Sequence, residues 1–231
     1  MNLNVIRNLA LLIMLGALVG CAGTYRAYVD MLSYAFTPPT DASLSLAQVN
    51  ASATDLLYLR HGDRPQAVLA LAFIEQQQHK WISADGVLLV LEQGRLVRTS
   101  GLSNDLLYLT NRAADPLKRL PDELFRASWL RLADWSKGEY GYQINSEFKA
   151  AGLQDLAFFD QSIKTLVFEE RVEYPNQANF IGVNKSFNNT YWFDSATGLL
   201  VQSRQQLSPQ TDPIEMTYIS RIGRLLQAHS L

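Results

Sequence analysis

Cysteine and histidine are nearly absent: one cysteine, Cys21, and three histidines, His61, His79 and His229, in 231 residues. The histidines lie in a turn, in a polar run and beside the C-terminus, with no ligand-type spacing between any two, so they read as surface side chains rather than metal ligands. There is no Gly-x-Ser-x-Gly elbow and no glycine-rich loop to cradle phosphate. Neither metal nor cofactor is expected, and any catalytic reading would have to rest on carboxylates. An excess of positive charge is missing too. The net charge of −2 argues against nucleic acid as a partner, since that binding is driven by clustered Lys and Arg.

Long apolar runs are absent beyond the first twenty residues. There, Arg7 precedes an uncharged apolar stretch from Leu9 to Val19, which is followed by Gly20 and Cys21. A basic end, an apolar core and a small-residue cleavage site are the three parts of an export signal. The stretch is too short to span a bilayer, which takes roughly 20 apolar residues. Leu18-Val19-Gly20-Cys21 resembles the bacterial lipobox. That resemblance implies a diacylglyceryl group on the Cys21 thiol, cleavage before Cys21 and acylation, commonly with palmitate, of the new amine.

With Cys21 consumed, no disulfide, redox pair or thiolate metal site can form within the chain. Two or three acyl chains hold a protein on a membrane essentially permanently, because each buried methylene contributes about 0.8 kcal/mol. Ala22 stands where an aspartate would often signal inner-membrane retention in enteric bacteria, so the periplasmic face of the outer membrane is the expected location. Cleavage leaves 19 basic and 22 acidic side chains, a net charge near −3.

The chain divides into a signal peptide (1–20), a lipidated segment (21–49) and an antiparallel β domain (50–231). In the second segment Tyr25, Tyr28, Val29, Leu32 and Phe36 recur at helical spacing, and Pro38-Pro39 stops that short helix. The third shows hairpin punctuation. His61-Gly62-Asp63-Arg64-Pro65 separates the runs 55–60 and 66–75, and Glu92-Gln93-Gly94 separates 87–91 from 95–99. Asp194-Ser195-Ala196-Thr197-Gly198 separates 190–193 from 199–205. Runs at 139–149 and 165–174 carry apolar residues of one parity. At least seven strands emerge, predicting a mainly β fold: an antiparallel, strongly twisted sheet forming a whole or partial barrel with minor helical insertions. Residues 116–135, with mixed apolar spacing and two nearby prolines, read as a loop followed by a short helix.

The stretch Trp-Ile-Ser-Ala-Asp-Gly-Val-Leu-Leu-Val-Leu-Glu-Gln-Gly-Arg-Leu-Val-Arg-Thr-Ser-Gly-Leu, from Trp81 to Leu102, resembles the YjbF/GfcB family of Gram-negative group 4 capsule polysaccharide lipoproteins, as do the lipobox and the hairpin around Tyr191-Trp192-Phe193-Asp194 and Thr197-Gly198-Leu199. The resemblance spans most of the mature chain. It implies a mainly β, barrel-like fold and a role in making or exporting an exopolysaccharide or capsule; it carries over no catalytic residues.

Within that segment Gly86 and Gly94 suit tight turns, which is a purely structural role. The functional alternative has Trp81, Asp85 and Arg95 clustered at one end of the sheet as a sugar-contacting patch. Sugar rings expose C–H faces that rest on flat aromatic rings, so Trp129, Trp135, Tyr140 and Tyr142 are further candidates, although large aromatics also fill ordinary cores. Glu170 stands out among the acids because alternation places it on the face of Leu166, Phe168, Val172 and Tyr174, where it needs an arginine partner or a shifted pKa.

Three functional readings follow. The first is a non-catalytic accessory factor, held on the membrane by its lipid, that binds polysaccharide or other capsule and exopolysaccharide export proteins. The second is a periplasmic glycan-modifying enzyme, and the third a lipid carrier with an open barrel. The lipobox generates a direct test. The mature wild-type protein should begin at Cys21 and carry the mass of its acyl chains, whereas Cys21→Ser should stay unacylated and leave the membrane fraction. A free Cys21 thiol in the mature wild-type protein would exclude lipidation.

Overall fold

A computed structural model describes residues 40–119, 121, 126–175 and 185–229. The expected helix over 24–36, and Cys21 itself, lie outside these residues. The compact unit begins at Asp41. It opens with a short helix, α1 (Leu46–Asn50), whose first turn is closed by a capping box between Ser45 and Gln48.

Twelve strands follow among the described residues: β1 (Leu56–His61), β2 (Ala67–Glu75), β3 (Gln78–Ser83), β4 (Leu88–Glu92), β5 (Arg95–Ser100), β6 (Leu106–Leu109), β7 (Ser128–Trp135), β8 (Glu139–Phe158), β9 (Gln161–Glu173), β10 (Ser186–Asp194), β11 (Leu200–Gln205) and β12 (Ile214–Thr217). They form one antiparallel sheet in the order β5-β4-β3-β2-β1-β12-β11-β10-β9-β8-β7-β6. The chain meanders to one edge of the sheet, crosses to the opposite edge and meanders back until β12 pairs with β1. The mainly β, antiparallel, barrel-like architecture expected from the sequence is therefore present, and the barrel is nearly closed.

At the seam β5 and β6 meet through a side chain rather than a ladder. The Leu106 N–H donates to the Thr99 hydroxyl (2.9 Å), which in turn donates to the Asp105 carboxylate (2.9 Å). Thr99 is buried, so this hydroxyl meets backbone needs that two unpaired sheet edges would otherwise leave unanswered.

Alternation fills the interior. Leu57, Leu59, Leu69, Trp81, Leu89, Phe148, Phe168, Tyr191, Phe193, Met216 and Tyr218 belong to the larger buried cluster, and Trp129, Trp135, Ile144, Val172 and Tyr174 to a second. A helix absent from the sequence reading, α2 (Ile219–His229), covers part of the sheet. Its Ile222, Leu225 and Leu226 pack on Ile163 and Val201, with Leu156, Phe158 and Phe159 of the β8–β9 hairpin alongside.

The expected loop and short helix over 116–135 are corrected. A 3₁₀ turn occupies Pro116–Lys118, and Ser128–Trp135 is strand β7. Its inward positions are Trp129, Arg131, Ala133 and Trp135, while Leu130 and Leu132 face solvent. Leucines outside and an arginine inside erase the two-residue hydropathy period by which a strand is recognised. Strands β3, β6 and β12 also escaped the sequence reading because they are short or polar.

The β4–β5 turn fixes how closely the walls approach. Gln93 and Gly94 both have positive φ, +47° and +88°, as a two-residue hairpin loop requires. A Cβ on Gly94 would lie 2.2 Å from Leu200 Cδ2. Gly94→Ala should therefore destabilise the protein by roughly 2–4 kcal/mol, combining overpacking with left-handed backbone strain. Denaturant unfolding checks this, and an unchanged midpoint would refute the tight packing at this corner.

Candidate functional site

Two sites emerge from the inward-facing side chains. The first is a buried ion cluster. Arg95, the first residue of β5, points into the barrel and donates from Nε and Nη2 to Asp115 (3.0 and 3.2 Å). Its Nη1 donates to Glu170 of β9 (2.6 Å) and to the Tyr191 hydroxyl of β10 (2.6 Å). Glu170 also accepts from Asn189 (3.0 Å) and Tyr191 (2.9 Å). Arg131 of β7 completes the cluster, with Nη2 3.4 Å from Glu170 Oε1 and Nη1 donating to Ser146 (2.9 Å). The Trp129 ring contacts both cations, 4.9 Å from the Arg95 guanidinium carbon and 4.1 Å from that of Arg131.

Two arginines and two carboxylates balance, as burial demands, since an unpaired charge in this interior would cost several kcal/mol. Burial alone would raise the Glu170 pKa, but the charges of Arg95 and Arg131 and the hydrogen bonds from Arg95 and Asn189 outweigh it and hold it at about 2. Glu170 is thus a permanent anion at neutral pH, with no proton to donate to a glycosidic oxygen.

The second site is a cleft of about 280 Å³ beside α2. Its walls come from β3 (His79, Trp81), the β4–β5 turn (Gln93, Gly94), the segment after Asp115 (Leu117, Lys118, Arg119, Pro121), the β10–β11 hairpin (Phe193, Gly198, Leu199, Leu200), and Tyr218 with Arg221. Trp81 and Tyr218 meet edge to face at 6.2 Å, and the Arg221 guanidinium carbon lies 4.6 Å from the Tyr218 ring centre. Four basic side chains line the cleft and no carboxylate does, among the described residues. Burial, and then the neighbouring Arg221 charge, lower the His79 pKa, so its imidazole is neutral at neutral pH.

The sequence candidates scatter. Trp81 lines the cleft, Asp85 lies exposed in the turn after β3, where it accepts from the Ser83 hydroxyl, and Arg95 is sealed inside the barrel. The structure does not gather these three into one patch. Trp129, Trp135 and Tyr142 are buried, with the Trp129 indole donating to the Asn111 carbonyl (3.0 Å). Tyr140 is 65 % exposed, apart from the cleft. Glu170 sits on the predicted inward face and has arginine partners. Asp115, Arg131, Asn189, Tyr191, Tyr218, Arg119 and Arg221 were not singled out by sequence. The one available signal was the placing of Tyr191 beside Trp192 and Phe193 in the hairpin already noted.

Residues 29–219 match the model of the family described as group 4 capsule polysaccharide lipoprotein gfcB, YjbF. The chain belongs to this family. Among its relatives in Escherichia coli strain K12, the uncharacterized lipoprotein GfcB is 32 % identical over 204 residues, covering 87 % of this chain and 92 % of its own. The uncharacterized lipoprotein YjbF is 32 % identical over 168 residues, covering 70 % and 73 %. The crystal structure of the hypothetical lipoprotein YmcC from the same organism matches with a TM-score of 0.65 at 32 % identity, covering 85 % of this chain and 93 % of that one. The likeness thus extends across the barrel and makes this a member of a capsule-associated lipoprotein family.

The ion cluster generates a linkage prediction. The folded pKa of Glu170, about 2, lies below its ordinary 4.5, so its stabilisation is fully present above pH 4.5 and is lost as pH falls toward 2. Glu170→Gln keeps the shape but leaves two arginines facing one carboxylate, and should cost about 3–5 kcal/mol at neutral pH. The stability gap between wild type and variant should narrow between pH 4.5 and 2. A gap independent of pH in thermal melts would show that the Glu170 charge does not hold the cluster together.

Proposed function

We propose that the protein is a non-catalytic accessory factor of capsule or exopolysaccharide production, anchored through acyl chains on Cys21 at the periplasmic face of the outer membrane, and that it holds glycan in the cleft beside α2. The observation that carries this reading is the cleft lining, which combines Trp81, Phe193 and Tyr218 with cationic side chains and contains no carboxylate among the described residues. Glycoside hydrolysis ordinarily uses two carboxylates flanking the bond. The most deeply buried carboxylate among the described residues, Glu170, is instead locked between two arginines away from the cleft. The barrel interior is filled by that ion cluster and by large aromatics, which argues against the lipid-carrier reading. The family's capsule association supplies the biological setting.

Deleting the gene should reduce surface polysaccharide, with restoration by the wild-type chain and not by Cys21→Ser. Incubating the purified protein with that polysaccharide should leave its chain length unchanged. Normal polysaccharide in the deletion strain, under conditions where the protein is made, would overturn the reading; shortening of the glycan by the purified protein would replace it with the enzymatic one.

A further inference from the structure

We infer that the cleft beside α2 seats an acidic sugar unit, with the guanidiniums of Arg221 and Arg119 holding its carboxylate or phosphate and the Trp81–Tyr218 pair forming the wall against which its ring lies. This rests on the glycan-binding reading above and names the kind of glycan.

Three observations converge on it. The first is charge. Arg221 is half-buried, stacks on Tyr218 and donates to the Leu200 carbonyl, and it has no carboxylate within ion-pair distance among the described residues. A guanidinium carries five N–H donors in a fork that matches a carboxylate or phosphate, so most of its donor capacity is uncommitted. Burial lowers the Arg221 pKa, and the attraction of Asp55, a carboxylate already paired with Arg224 (2.6 Å), does not outweigh it.

The neighbouring charges do not correct this excess. Lys118 is paired with Glu92 (2.7 Å), but Arg112 shares that same carboxylate. Arg119, exposed at the rim, has no acidic partner among the described residues.

The second observation is polar capacity left over in the wall. Trp81 and Tyr218 are 2 % and 4 % exposed, yet the indole Nε1 and the phenol oxygen both lack a hydrogen-bond partner among the described residues. Buried donors are normally satisfied, and leaving one unmet costs about 1–3 kcal/mol. The phenol oxygen faces the cleft corner, since it lies 3.5 Å from the position a Cβ on Gly94 would take. A hydroxylated ligand seated at that corner would give the phenol oxygen its missing partner.

The third observation is size. At about 280 Å³ the cleft falls just below the usual range of ligand sites, roughly 300 to 1,000 Å³, and so suits one sugar unit rather than a length of polymer.

The test is an NMR titration of the mature full-length lipoprotein in detergent, following the Trp81 indole N–H, which Trp81→Phe assigns. The probes are methyl glucuronoside, methyl glucoside and inorganic phosphate. Methyl glucuronoside should give a saturable shift, and methyl glucoside should bind about tenfold more weakly, the difference expected for one charge-assisted contact. Arg221→Gln and Arg119→Gln should each weaken glucuronoside binding without changing glucoside binding. Arg119→Gln, at an exposed site, keeps the test valid if Arg221→Gln fails to fold. Equal binding of the two glycosides would overturn the acidic preference while leaving glycan binding intact. Phosphate binding as tightly as the glucuronoside would overturn the role of the ring, and no saturable shift with either glycoside would overturn the site itself. The deletion phenotype judges the broader function independently of all three outcomes.

Discussion

The Arg95 guanidinium is the tie on which the rest of the barrel depends. It begins β5, at one edge of the sheet, yet its partners Glu170 and Tyr191 stand on β9 and β10 in the other half of the meander. Chain connectivity and the Thr99 hydroxyl join these halves at the β5–β6 seam and pairing joins them at β1–β12, so a contact through the interior is a further, independent link. Its energetic character is selective rather than simply stabilising. Burying four charges is expensive, and the expense is offset only when each finds its partner. A barrel closed in another register would leave at least one of these charges unmatched in a dry interior.

The same guanidinium shapes the cleft, although it does not line it. Asp115, gripped by two Arg95 nitrogens, also accepts from the Leu117 N–H (3.1 Å) and so starts the 3₁₀ turn that carries Leu117 and Lys118. The cleft's cationic rim, Lys118 and Arg119, is therefore held in place from the core. On the facing side Gly94, next to Arg95, lets Leu200 close in, while Gln205 of β11 ties the turn down by donating to the Gly94 carbonyl (2.7 Å). Electrostatics inside and surface chemistry outside are thus one construction. A change at Asp115 would be felt at Arg119.

How much of this is legible in the sequence depends on whether the information is local. Strand alternation placed Glu170 inward, and glycine-bearing turns marked the hairpins around Gly94 and Gly198, because both signals span only a few residues. Strand β7 was not legible, since its inward Arg131 and outward Leu130 and Leu132 invert the expected pattern, and the inversion makes sense only once Glu170 is seen beneath Arg131. Helix α2 follows a run of strands whose punctuation suggested more sheet, although Ile219, Ile222, Leu225 and Leu226 have helical spacing. The cleft was beyond local reading altogether. Its walls are drawn from positions as far apart as His79 and Arg221, so Trp81 could be named as an aromatic candidate but not given its neighbours.

The segment from Trp81 to Leu102 carries several of these long-range obligations at once. Between Trp81 and Leu102, Trp81 forms the cleft wall against Tyr218, Gly94 admits Leu200, Arg95 holds Asp115 and Glu170, and the Thr99 hydroxyl closes the seam to β6. Each of the four meets an element outside the β4–β5 hairpin, and each is restricted to a side chain of one shape or charge. Lysine at 95 would lose the two-pronged grip on Asp115, and any larger residue at 94 would collide with Leu200. A segment this constrained changes little without changing the barrel around it. That is a physical reason for a stretch with no catalytic motif to have a distinctive sequence.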